Sequence, residues 1–129
     1  MDLLPYVHFG DTPFSTTEVQ LIARRGTPRS RQLLPIGLLE LDHGDVVHRF
    51  QTSTGRLEEI TRPAPLLWLN GQMLLFPQLG AHVRAHDATA FERGGFLVSP
   101  RYGLAFVPGQ PSWVTALAVH CIDTWRRMG

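Results

Sequence analysis

With 129 residues, 43% of them apolar and 18% charged, the chain is long enough to bury a core and too apolar to stay disordered. A net charge of +1 gives no footing for a nucleic-acid face, and no apolar run approaches the ~18 residues that cross a bilayer. The single cysteine, Cys121, excludes an internal disulfide, and Asp2 stands where a signal peptide would carry basic residues, so a reducing cytoplasm is the expected location.

All 12 basic residues are arginine, as a GC-rich bacterial genome would give, and only Arg24 to Arg31 cluster. The first predicted element lies in "FSTTEVQLIARRGTP", residues 14–28. Ser15 and Glu18 have capping-box spacing, and Phe14 with Val19 has that of a hydrophobic staple. Gly26 and Pro28 stop the helix, and Arg24 and Arg25 sit at the negative end of its dipole. Val19, Ile22 and Ala23 form its apolar stripe. So short a helix is unstable alone in water and has to lie on something.

Residues 34–61 supply a sheet of three predicted strands. In "LPIGLLELD", Leu39 and Leu41 alternate with Glu40 and Asp42; in "VVHRFQ", Val46, His48 and Phe50 alternate with Val47, Arg49 and Gln51. In "RLEEIT" the alternation slips by one, as at a bulge. The second half repeats the order. "LLWLNGQ" ends in an Asn-Gly turn, and "FPQLGAHVRAHDATAFE" is a predicted helix with Leu79, Val83 and Phe91 facing inward, ended by Gly94 and Gly95. "FLVS", "YGLAFV" and "WVTALAVHCI" then read as strands. The predicted fold is α+β within a single domain, 1–129. Two helix-plus-three-strand units, about 6–63 and 66–125, share one antiparallel sheet with the helices packed on one face.

Gly10, Thr12, Val19, Gly26 and Pro28, followed by Gly55 and Ile60 in the strands, form a pattern that resembles a bacterial unit. It is similar to the helix-plus-sheet units of β-lactamase-inhibitor-protein-like folds and of small outer-membrane-assembly lipoproteins. It is also similar to single-domain bacterial proteins, often encoded near toxin or secretion genes, with two such units in tandem. The chain lacks the lipoproteins' cysteine near its start and the secreted inhibitors' paired cysteines. The resemblance implies a cytoplasmic protein whose sheet face or loops hold a partner, toxin immunity being the natural example.

Little catalytic chemistry stands beside this. His82 and His86 have the i, i+4 spacing of metal ligands with Asp87 adjacent, but Val83 stands where a zinc protease needs glutamate. A third ligand would have to be His43, His48 or His120, so these histidines are expected to be solvent-facing and no metal or cofactor is expected. His120 and Cys121, with Asp123 as the would-be orienting acid, fall on a predicted strand and so point to opposite faces, which leaves Cys121 a buried inert thiol. Ser99 reads as a turn residue before Pro100. Asp42, His43, Asp45 and His48 gather at a hairpin tip, where they can make an acidic contact surface that Glu58 and Glu59 extend. Trp68 is expected to cap the core; Trp113 and Trp125 suit either core or contact.

The function expected from these features is a non-catalytic protein-binding module that occludes its partner, a cognate toxin for example. The expected contacts are Asp42, Asp45, Arg101 and Trp113, with no nucleic-acid or membrane partner. One alternative is a small-ligand or metal-binding protein, or a small enzyme, with a pocket between helix and sheet on which the histidines converge. Another is a homodimer that buries the open sheet face.

Overall fold

Alternation sets the inner face of the main sheet. Leu39 and Leu41 of β5 (Leu38–Asp42) are buried, as are His48 and Phe50 of β6 (Val47–Gln51), while their neighbours are only half-covered. These strands lie between β4 (Ser30–Leu34) and β7 (Leu57–Pro63) in a four-stranded meander. A second meander, β10 (Phe91–Arg93), β11 (Phe96–Ser99), β12 (Leu104–Phe106) and β13 (Trp113–Leu117), joins the first through antiparallel pairing of β13 with β7. The resulting eight-stranded sheet runs β10-β11-β12-β13-β7-β6-β5-β4, antiparallel throughout. The computed structural model describes residues 1–109 and 111–127.

A smaller mixed sheet forms from β1 (Asp2–Leu4), β2 (His8–Phe9), β3 (Thr12–Pro13), β8 (Leu66–Leu69) and β9 (Gln72–Leu75), in the order β3-β2-β1-β8-β9. Its one parallel pair is β1 with β8. The β8–β9 hairpin turns on Asn70 and Gly71, both at positive φ (51° and 86°), the backbone that a two-residue turn requires and that this dipeptide tolerates best.

Helices cover the large sheet on both faces. On the inner face, Leu21 of α1 (Glu18–Arg25) and Phe76, Leu79 and Val83 of α2 (Phe76–His86) share one core with Leu41, Phe50, Ile60 and Phe106 of the large sheet. Leu3, Phe9, Leu67 and Leu69 of the small sheet close the same core. On the outer face, α3 (Cys121–Arg127) lays Cys121, Ile122 and Trp125 over Val98, Ala105 and Leu117 in a second cluster. No helix among the described residues is long and apolar enough to cross a membrane.

The fold is therefore α+β, with three helices and two sheets among the described residues, where a single sheet with both helices on one face was expected. Each expected three-strand run gains a strand. β4 is an exposed edge that buries no side chain, so it carries no alternation to read. Phe91 leaves the predicted helix to open β10, and Gly94–Gly95 is the hairpin turn beyond it. The helix stops at His86 because the Asp87 carboxylate accepts from Thr89 N (2.9 Å) and Thr89 Oγ1 (2.6 Å), which folds the chain into a turn. The predicted final strand ends at Leu117, and Cys121–Arg127 form α3.

In α1 the cap lies two residues later than predicted. Thr17 Oγ1 accepts from Gln20 N (3.2 Å) and Gln20 Oε1 accepts from Thr17 N (3.0 Å). Residues ahead of it are held by Phe14 N donating to Val7 O (2.9 Å) and Thr16 N to Pro13 O (3.1 Å). Leu21 faces the sheet, which puts Val19, about 200° round the helix, in water at 78% exposure. The Phe14–Val19 staple is thus absent, and Ala23 is exposed too. Gly26 closes the helix at positive φ, as expected. Leu21→Ala should lower the unfolding free energy in urea titration by about 2–5 kcal/mol, whereas Val19→Ala should leave it within about 0.5 kcal/mol.

Candidate functional site

α3 covers only part of the outer face, so the surface of β5, β6 and β7 stays partly open. Register places Glu40, Arg49 and Glu59 side by side across those three strands. Arg49 bridges the row, its Nε donating to Glu40 Oε2 (2.9 Å) and its guanidinium to Glu59 Oε1 (3.2 Å) and Thr61 Oγ1 (3.0 Å). Trp125 Nε1 donates to the other Glu59 oxygen (3.3 Å). Burial pushes the Glu59 carboxyl above its ordinary value, against the pull of Arg49.

The slip in "RLEEIT" is a real bulge. Register shifts between Arg49 and Phe50, which face Glu59 and Leu57, and Glu58 is the residue left over. Leu57 and Glu58 are consequently both buried. Glu58 turns toward the start of α3, where Cys121 Sγ donates to its Oε2 (2.8 Å) and His120 Nε2 closes on the same oxygen. Burial, then the contact with Glu58, raises the Cys121 thiol far above its ordinary value, so at neutral pH it is a protonated hydrogen-bond donor.

Two hollows flank Trp125. One, of about 400 Å³, lies between α3 and the β4–β5 turn and is lined by Ile36, Leu38, Arg49, Glu58, His120 and Cys121 among others. The other, of about 330 Å³, is lined by Thr61, Phe96, Val107 and Trp113. Both include Arg49, Glu59 and Trp125, so the two hollows adjoin as a divided groove on the outer face.

The four residues expected to contact a partner do not converge. Asp42 and Asp45 flank the β5–β6 turn, and register puts Trp113, opposite Pro63, at that same end of the sheet. Arg101 lies in the β11–β12 turn at the opposite end, its guanidinium donating to His86 O and lying over the Tyr102 ring. Asp42 is engaged by Gly44 N (2.7 Å) and Arg29 (2.9 Å), which hold its carboxyl below the ordinary value, while Asp45 lies 3.8 Å from Arg25. Trp113 alone of the four lines the groove.

Among the described residues no third metal-ligating side chain gathers with His82 and His86. His82 and His86 stack with ring centroids 4.3 Å apart, and Asp87 is used by Thr89, Ser99 Oγ (2.7 Å) and Arg101 N (3.0 Å). Ser99, read as a turn residue before Pro100, does end β11 at the turn, and is buried there. Trp68, expected in the core, is exposed, because its strand turns that face outward. Trp125 belongs to the outer core cluster.

His120 and Cys121 are not on a strand, so the opposed-faces expectation fails; the turn into α3 brings both to Glu58. The pair was legible in another way: Cys121, Ile122 and Trp125 recur at i, i+1 and i+4, a helix pattern between charged residues. For Glu58 the only signal was the slipped alternation. Comparison with protein-family models, with curated proteins and with solved structures finds no match.

His48 is fully buried with neither ring nitrogen partnered. Burial, helped by nearby Arg25, lowers its pKa from 6.5 to about 3. The unfolded chain therefore binds more protons than the folded one between those values, and stability falls as pH drops through that window. His48→Leu should flatten this fall: thermal midpoints measured from pH 7 down to about pH 4 should diverge in favour of the variant as acid is added.

Proposed function

We propose that this chain is a non-catalytic protein-binding module that acts by covering a partner surface, with a cognate toxin as the partner class and the bacterial cytoplasm as the setting. The half-covered outer face carries this reading. There Glu40 and Glu59 flank one arginine, Arg49, and the hollow beside them, which Glu58 also lines, has an apolar lip at Leu34, Leu38 and Ile36, the last 76% exposed. β4 adds a free sheet edge to that lip, since among the described strands it pairs only with β5. An acidic, apolar-rimmed groove beside an open edge suits a basic segment that adds a strand and seats its side chains in the groove.

Two further features support the reading. The protonated Cys121 thiol is a poor nucleophile, which favours binding over covalent chemistry. Each of α1 and α2 is followed by a four-stranded meander, and we take these as like-built units of the tandem kind that the Gly10–Pro28 pattern resembles. Of the residues first expected to make contacts, Trp113 stays in the proposed surface, Asp42 and Asp45 lie at its far end, and Arg101 lies outside it.

Co-expression with a toxin encoded beside this gene should yield a complex on gel filtration. The double variant Ile36→Glu/Leu38→Glu should weaken it about tenfold or more. Val19→Glu, exposed on α1 across the sheet, should leave it intact. No complex at micromolar concentrations, or equal loss from Val19→Glu, would overturn the reading. So would a mass at twice 14.5 kDa that the double variant reduces to 14.5 kDa, since the groove would then be filled by a second copy.

A further inference from the structure

We propose that Glu58, His120 and Cys121 form a site for one divalent cation of zinc type, which fastens α3 to β7. This stands apart from the protein-binding reading and does not depend on it. One carboxylate oxygen, one imidazole nitrogen and one thiol sulfur lie within 4.8 Å of one another, and no other group of three or more ligand side chains does so among the described residues. Oxygen, nitrogen and sulfur donors are the three kinds that zinc accepts.

Backbone geometry fixes these groups before any ion arrives. Glu58 is the extra residue of the β6–β7 bulge, a device that re-aims a side chain. Ala118 N donates to Glu58 O (2.9 Å) and Cys121 N to Ala118 O (3.0 Å), so the turn bearing His120 and Cys121 is tied to the bulge itself.

The site also has an unmet need for positive charge. The Glu58 side chain is 5% exposed, and its Oε1 has no hydrogen-bond partner, while Cys121 and His120 both crowd onto Oε2. A buried carboxylate oxygen left bare is costly. The neighbouring arginine, Arg49, is committed to Glu40 and Glu59. A cation would satisfy the carboxylate directly.

Ligand atoms around tetrahedral zinc sit roughly 3.3–3.7 Å apart. Oε2 and Sγ, now 2.8 Å apart, must separate by about 0.5–1 Å, which rotation of the Cys121 and His120 side chains can absorb. On binding, the Zn–S bond replaces the S–H bond of Cys121 and the thiol proton passes to solvent; nothing is oxidised or reduced. His120, 35% exposed, stands at the mouth of the 400 Å³ hollow, so the ion can enter there and the fourth position faces the groove.

The test uses the full chain without a polyhistidine tag, and zinc or cobalt(II) salts alone as probes. Equilibrium dialysis should show one zinc retained per chain, and cobalt(II) should give a near-ultraviolet thiolate-to-cobalt charge-transfer band. Cys121 is the chain's only cysteine, so its alkylation rate reports on this site in the unaltered protein; zinc should slow it about tenfold or more. Cys121→Ser should abolish the band, and Glu58→Gln and His120→Ala should each weaken binding about a hundredfold. His82→Ala/His86→Ala should change nothing.

Absence of retained zinc would overturn the proposal, as would cobalt binding with no thiolate band or alkylation indifferent to zinc. Loss of the metal in the His82/His86 variant would place it on α2 instead, and would overturn the proposal equally. Should a ligand variant fail to fold, the cobalt spectrum and the alkylation protection of the unaltered chain decide the matter.

Discussion

The pairing of β13 with β7 is the constraint on which the rest depends. It sets Ile60 against Ala116 and Thr61 against Thr115, turning two four-stranded meanders into one eight-stranded sheet. Its inner side belongs to the main core, through Ile60, Val114 and Ala116. On its outer side the Thr61 and Thr115 hydroxyls share a hydrogen bond of 2.8 Å. Without this seam each meander would present a bare edge strand, the form most prone to wrong association. The seam also decides where α3 lands: the chain leaves β13 with Leu117 opposite Glu59, and the next residue, Ala118, bonds to Glu58 O.

One inserted residue then divides the chemistry of the outer face. In a regular strand, Glu58 and Glu59 would point to opposite sides and one would enter the apolar core unaccompanied. The bulge lets both carboxylates stay on the α3 side, at different depths and with different company. Glu59 joins the cross-strand row with Arg49 and Trp125, whereas Glu58 meets only hydrogen-bond donors from the turn before α3. The arginine thus serves one glutamate and not the other. That asymmetry leaves the hollow beside α3 lined by two glutamates, Glu58 and Glu59, and one arginine, Arg49, in a chain whose net charge is +1.

What the sequence revealed follows from where burial is one-sided. β5 and β6 each bury one face, so the faces assigned to Leu39, Leu41, His48 and Phe50 are those observed. Leu79 and Val83 were found on α2 for the same reason. β4 escaped notice because it buries nothing, and β9 because it buries only Leu74 and so shows no alternation. The phase of α1 was misjudged because two overlapping caps, Ser15–Glu18 and Thr17–Gln20, can each be read from "STTEVQ", and contacts made by the preceding loop select the second. Of the candidate site, Glu58, His120 and Cys121 were each singled out, but not as a group. His120 and Cys121 lie 62 and 63 positions beyond Glu58, and only the β7–β13 seam brings them together.

The parallel pairing of β1 with β8 carries a consequence for how the chain is made. Asp2 and Leu3 register with Trp68 and Leu69, so β1 has no lasting partner on that side until β8 has been synthesised. Leu3 and Phe9, both fully buried at the end, travel exposed for that interval. β7 then waits in turn for β13. Such distant closures make folding slow, and the nascent chain is at its stickiest while β1 and β7 await their partners, when chaperone capture would matter most.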